Sequence, residues 1–412
     1  MAIIESMNEH WKKNTILFLT SQIVSLFGSM LVQYAIMWYI TLETKSGVMM
    51  TISIICGFAP TLLLSPFAGV WADRYNRKML IVLADLFIAT ATLVIAILFI
   101  LGYDAIWLLF VVSAMRALGS GIQSPAVNAF LPGIVPPDKL MKITGINSSV
   151  MSAVTLVSPI VAGALLSFTT IKLIFFIDIV TAAIAIWILL VFLKVPAHAK
   201  ALEKQPFNYF TDLKAGLVYI SKHGYVKTIF LFCALYFILV APLAFLTPLQ
   251  VTRSYGDDVW RLTAIEVAFS LGMMIGGLVI ATWGGFKNKA YTMATSFLLM
   301  AVSTFVLGLV PAFWVYLIFM LVVGLMMPMF NSPFTVLLQQ KVEPDFLGRV
   351  FGVLGMISSS VMPLSMLVFG PMADSIKIEW MLLGTGAMML VLSVVMMGNK
   401  VLLEAGRPVV AS

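Results

Sequence analysis

The chain has 412 residues, of which 61% are hydrophobic and only 10% charged, against about 25% charged in soluble domains. A soluble fold of this composition would expose far too much apolar surface. An ordinary cytosolic enzyme, a disordered chain and a disulfide-rich secreted protein are therefore excluded, and a polytopic membrane protein fits the mean hydropathy of +1.05. The net charge of +7 comes without a basic tract or a stacking platform, so no nucleic-acid partner is expected. Cys56 and Cys233 lie in apolar runs and read as small apolar residues. His10, His198 and His223 lie in polar stretches, so neither a metal nor another cofactor is expected.

About 20 apolar residues cross the hydrocarbon core of a bilayer. By that measure twelve spans are expected, near 14–41, 47–71, 79–101, 105–131, 142–168, 173–194, 227–250, 261–283, 291–310, 313–338, 349–373 and 380–399. The first run is too long for a signal-peptide core and no small-residue cleavage site follows it, so it reads as a retained span. All twelve should be helices, because backbone polar groups in lipid must be bonded within the segment. With the N-terminus in the cytoplasm, 19 of the 25 basic residues fall in cytoplasmic segments and five in outer loops. That split predicts that both termini are cytoplasmic.

The longest polar stretch, 195–226, joins six spans to six. It divides the chain into a half at 1–194, a central loop, and a half at 227–412. Phe210, Leu213, Leu217 and Ile220 stand at helical spacing in the loop. They predict an amphipathic helix, lying either at the membrane interface or packed under the helices. The halves read as a duplication. Ser124-Pro125, Pro137-Asp138 and the tetrapeptide Ser148–Met151 return as Ser332-Pro333, Pro344-Asp345 and Ser359–Met362, at offsets of 208, 207 and 211 residues. Two such six-helix repeats are a transporter architecture.

The loop after the second span carries Gly69, Asp73, Arg74, Arg77 and Lys78. Asp73 closes a helix, where the dipole disfavours an anion, so it needs a cation or another helix N-terminus as a partner. Arg116 is the only basic residue deep in a span. At a cost of roughly 2.5–3.5 kcal/mol at a helix centre, it should face protein or water and be paired. The acids inside spans are Asp85, Asp178 and Glu266. Asp85 and Arg116 come within a few ångströms of one depth if each helix rises 1.5 Å per residue, so they could pair; alternatively Asp85 serves Arg74 and Arg77. Glu266 is the first candidate for a proton or substrate site and Asp178 the next, since a carboxyl in an apolar wall could exchange protons near neutral pH; Arg116 and Asp85 complete the candidate set. Each could instead be a wet, helix-start acid at the outer interface. In the first span Gln22, Ser25, Ser29 and Gln33 form a polar stripe expected to line a central cavity.

The pattern G-x-x-x-D-R-x-x-R-K from Gly69 to Lys78 resembles the signature of the major facilitator superfamily, and the twelve spans, central loop and two halves extend the resemblance over the whole chain. It implies an all-α membrane fold of two pseudo-symmetric six-helix halves. It also implies that Asp73 latches against the start of the eleventh span near Gly348 and Arg349, and that Arg116 takes part in proton coupling. Gly145, Pro159 and Gly163 match the family's antiporter motif, while Val154, Ser158 and Ala162 depart from it. Their physical role would be close helix packing and a proline bend. Gly272 and Gly276 are expected to serve packing too.

Stretches such as Gln22–Leu26, Glu266 with Gly272, Gly276 and Gly277, and Phe346–Phe351 resemble the macrolide-efflux branch of bacterial drug exporters. The function implied is proton-driven export of an amphiphilic small molecule, with no cofactor other than the proton gradient. The expected setting is a monomer in the lipid of a bacterial plasma membrane. Export of tetracycline or a siderophore is the alternative, ahead of nutrient import or lipid flipping. No nucleophile–base pair stands out, so an enzyme is not expected.

Overall fold

The computed structural model describes residues 2–193, 209–309 and 312–406. Among these residues there is no strand. Six long helices come first: α1 (Ala2–Thr44), α2 (Gly47–Arg74), α3 (Arg77–Ile100), α4 (Ile106–Ile134), α5 (Pro137–Phe168) and α6 (Ile171–Trp187). A wider π-type turn, Ile188–Phe192, extends α6. A shorter helix, α7 (Tyr209–Lys222), precedes the second six: α8 (Gly224–Ser254), α9 (Val259–Trp283), α10 (Lys289–Leu307), α11 (Phe313–Lys341), α12 (Pro344–Ser375) and α13 (Ile378–Gly398). The six-residue α14 (Lys400–Ala405) closes the described chain.

Twelve helices among the described residues, α1–α6 and α8–α13, are long and apolar enough to cross a bilayer, as the sequence predicts. The limits differ by a few residues. The duplication reappears in element lengths and caps. α4 and α11 each run 29 residues; α5 and α12 each run 32 and begin on a proline. Proline suits that first turn because its missing N–H has no partner there anyway. Asn76 caps α3 by accepting from the Met79 N–H at 3.3 Å, and Asn288 caps α10 by accepting from the Ala290 N–H at 2.9 Å.

The helices divide into two compact units: residues 1–43 with 52–207, and residues 44–51 with 208–412. In the first unit, α3 packs between α4 and α6. Phe18, Ile81, Phe130, Leu189 and Leu193 form its apolar core near the start of α3. In the second unit, α9 and α11 cross so closely that a methyl on Gly272, Gly276 or Gly324 would overlap the backbone of the facing helix. The packing role expected of Gly272 and Gly276 is thus realised, whereas Gly277 faces open space. At one end of the same pair Trp260, Phe313 and Trp314 gather, with the Arg261 guanidinium over Trp260 and Phe313. Such an amphipathic aromatic group suits a membrane–water boundary.

Residues 194–208 of the central loop, and the Phe210 and Leu213 side chains, lie outside the described residues. The rest of α7 decides between the two sequence options. Tyr219 and Ile220 are buried, and Tyr219 stacks on Phe346 at 4.5 Å and accepts a hydrogen bond from the Glu343 N–H at 3.2 Å. α7 is therefore packed against the start of α12, with Leu217 left exposed.

Candidate functional site

The interior charges of the first unit are built on α1, α3, α4 and α6. Gly28 lets α1 approach α6 so closely that a methyl there would overlap Thr181 and crowd the Asp178 backbone. Gly119 does the same between α4 and Ile88 of α3. These two approaches bring polar side chains from four helices together in two layers.

The first layer centres on Asp178. Its Oδ2 accepts from the Arg116 guanidinium and from Thr92 Oγ1 at 3.1 Å, and its Oδ1 accepts from Ser29 Oγ at 3.4 Å. Arg116 also donates to Thr92 Oγ1 and, at 3.1 Å, to the Ser29 carbonyl. Arg116 is 8% exposed and Asp178 1%. Both charges of the pair are thus out of solvent, and each makes further hydrogen bonds, the condition under which a buried ion pair is tolerated.

The second layer centres on Asp85, also 1% exposed. Its Oδ1 accepts from Ser25 Oγ at 2.7 Å and from Gln123 Nε2 at 2.6 Å, while its buried Oδ2 has no partner. Gln22, one turn before Ser25, is buried with its Nε2 also unpartnered.

One sequence option is corrected: Asp85 does not pair with Arg116, which is held by Asp178. Nor does Asp85 meet Arg77, which donates to the carbonyls of Ala72 at 2.9 Å and Ala129 at 2.7 Å; the Arg74 side chain lies outside the described residues. Of the first-helix stripe, Ser25 and Ser29 donate to the two aspartates of their own unit, Gln22 is buried and Gln33 is exposed.

Lys78 donates to the Leu193 carbonyl at 2.7 Å, tying the start of α3 to the end of the π-type turn. The side chains of Gly69, Asp73 and Arg74, the core of the expected latch, lie outside the described residues. Of the antiporter-type motif, Pro159 and Gly163 are buried, but Gly145 is exposed and a methyl on it would meet nothing, so close packing is not its role. Ser158 is fully buried with its hydroxyl unpartnered.

The second unit is built differently. Its interior is aromatic and methionine-rich: Tyr236 stacks on Phe330 at 4.7 Å and meets Phe297 edge-on at 5.5 Å. A cavity of about 100 Å³ opens between α8, α9, α10 and α11, lined by Val240, Leu243, Phe269, Met300, Met320 and Met327, with Thr247 and Glu266 as its polar members. No described residue gives the Glu266 carboxyl a hydrogen bond or a countercharge. At about 30 Å³ per water the space holds a few waters, not a drug-sized molecule. Among the described residues no group of three metal-ligating side chains occurs.

Two residues that sequence reasoning passed over organise the far end of this unit. Asp374, near the end of α12, accepts from the N–H groups of Gly47 at 2.6 Å and Val48 at 3.0 Å, and from Ser46 Oγ at 2.8 Å. Arg253 donates to the same carboxyl at 2.8 Å and to the Lys45 carbonyl. The carboxylate thus sits on the N-terminus of α2, where the helix dipole favours an anion. An acid one residue before the end of α12 was the available signal.

Twelve apolar helices in two matched sets of six, with a buried arginine–aspartate pair in one set, define a multi-pass membrane protein of the transporter class. Residues 18–366 match the family described as the Major Facilitator Superfamily, and the chain belongs to it. It is accordingly a transporter-family protein and not an enzyme. It is 29% identical to the macrolide efflux protein A of Streptococcus pyogenes over 94% of this chain and 96% of that one. It is 30% identical to the protein of the same name from Enterococcus faecalis over 78% and 99%. A staphyloferrin A transporter of Staphylococcus aureus is 24% identical over 52% and 53%. Among solved structures, the nucleoside transporter NupG superposes with a TM-score of 0.70 at 15% identity, covering 93% of this chain and 98% of that one. A POT family transporter superposes at 0.72 and 13%, covering 94% and 96%. At such identities the likeness is one of fold.

Proposed function

We propose that the protein is a proton-driven exporter of an amphiphilic small molecule of the macrolide type. It would sit as a monomer in a bacterial plasma membrane with both termini cytoplasmic, and work by alternating access of its two halves. The observation that carries the reading is Glu266, an acid given neither a cation nor a donor by any described residue, in an apolar, methionine-lined cavity too small for a drug. A carboxyl so placed is suited to take up and release a proton rather than to hold an ion pair. The macrolide efflux relatives, aligned over nearly the whole chain, support the direction and the substrate class. The scarcity of amides and charges in the spans fits an amphiphile better than a sugar, which would call for many of both. The staphyloferrin A relative, aligned over about half the chain, makes a siderophore the second substrate class to test.

The test is accumulation of a labelled macrolide in cells with and without the gene. Collapsing the proton gradient should raise intracellular drug only in the expressing cells. Equal accumulation with and without the gene, for macrolides and for siderophores, overturns the reading.

A further inference from the structure

Among its described residues the first unit buries two aspartates and one arginine. Arg116 is fully engaged by Asp178, Thr92 and the Ser29 carbonyl, so its charge is spent one layer away from Asp85. Among the described residues, the groups facing Asp85 from each neighbouring helix contain no other cation. α1 presents Gln22 and Ser25, α4 presents Gln123 and, two turns away, Arg116, and α6 presents the anionic Asp178. Along α3 itself, Lys78 and Arg77 stand about two turns off, bonded to backbone carbonyls. An ionised carboxylate offers about four acceptor positions. Asp85 fills two, both on Oδ1 and both with neutral donors, and leaves Oδ2 buried and bare. A bare, desolvated anion costs far more than a bare hydroxyl, and a second negative charge beside Asp178 adds repulsion.

We propose that Asp85 rests in its neutral, protonated form and is a second proton-carrying carboxyl of the transport cycle, while Asp178 stays ionised as the partner of Arg116. The role in transport rests on the proton-driven reading above; the protonation state does not. The step is a proton transfer alone. The Oδ2–H bond breaks, its electron pair stays on the carboxylate, and the proton leaves to water; reprotonation from water reverses it. Ser25 and Gln123 are positioning residues, holding Oδ1 so that the proton resides on Oδ2.

Infrared spectroscopy of the full-length protein, carrying Glu266→Gln to remove the other unpaired acid, tests the resting state. Spectra would be compared with and without carboxyl-¹³C aspartate. At neutral pH a protonated-carboxyl band should appear, move with the aspartate label and vanish in Asp85→Asn. If Asp85→Asn does not fold, Gln123→Leu serves instead: the band should remain but shift, having lost one donor. Absence of an aspartate-labelled band, its survival in Asp85→Asn, or an unmoved band in Gln123→Leu overturns the proposal. In weakly buffered proteoliposomes with otherwise native protein, Asp85→Asn should lose part of the proton release that accompanies substrate uptake. Proton release equal to the parent's removes the transport role. If the infrared band behaves as expected but no substrate moves with protons, the functional reading fails and the protonation state stands.

Discussion

The two units treat interior charge in opposite ways. The first gathers Arg116, Asp178 and Asp85 across four helices and surrounds them with serine, threonine and glutamine donors. The second leaves Glu266 alone among methionine and phenylalanine side chains, and meets its other buried polar needs with neutral pairs such as Tyr316 donating to Gln250 at 2.8 Å. An ion pair set among its own donors, as Arg116 with Asp178, belongs to the architecture, and breaking it weakens the fold. A charge without partners does little for the fold, so its presence calls for a functional explanation.

The largest expected effect follows from Arg116→Ala. It strands Asp178, 1% exposed, without its cation, and should cost about 3–5 kcal/mol. Thermal melting in detergent would read this as a large drop in Tm, with much of it restored by Arg116→Ala/Asp178→Ala. A single variant that melts like the parent would erase the contrast between the units. Next is Gly28→Leu, which forces α1 away from α6 and should cost about 1–3 kcal/mol by overpacking. Gly145→Leu, placed in open space, should leave the melt unchanged. Asp374→Ala removes the acceptor of Gly47, Val48, Ser46 and Arg253 at a partly exposed site; a loss of about 1 kcal/mol is expected, measured in the same assay. The smallest stability change belongs to Glu266→Gln, because no bond is lost. Its Tm should match the parent while the pH dependence of efflux is weakened, Asp85 remaining as the second proton-carrying acid. A retained pH profile would remove Glu266 as a proton site.

The spans were legible because lipid imposes a length and an apolar composition that a single chain displays openly. The duplication was legible too, from Ser124-Pro125 and Ser332-Pro333 onward. What hydropathy does not carry is the rotation of one helix against another. The stripe Gln22, Ser25, Ser29 was visible at its helical spacing, but its destination depended on where α1 meets α6, and that is decided by Gly28. Likewise Asp85 and Arg116 share a depth, yet depth alone could not show that Asp178 claims the guanidinium first. Thr92 lies seven residues after Asp85 and Gln123 seven after Arg116. Polar residues two turns apart in otherwise apolar helices were the available clue to a layered network. Asp374 and Arg253 were missed because they lie at span ends, where charges are ordinary.

Residues 44–51 belong to the second unit although the chain on both sides belongs to the first. The second unit is therefore discontinuous in sequence: a gene cut between residues 207 and 208 would not separate it cleanly. A fragment beginning at residue 208 carries Asp374 and Arg253 but leaves behind the Gly47 and Val48 N–H groups and the Lys45 carbonyl that engage them. The fragment ending at residue 207 would hold all of the first unit with a foreign segment inside it, and reassembly of the two would be complementation, in which the second piece recovers eight residues from the first.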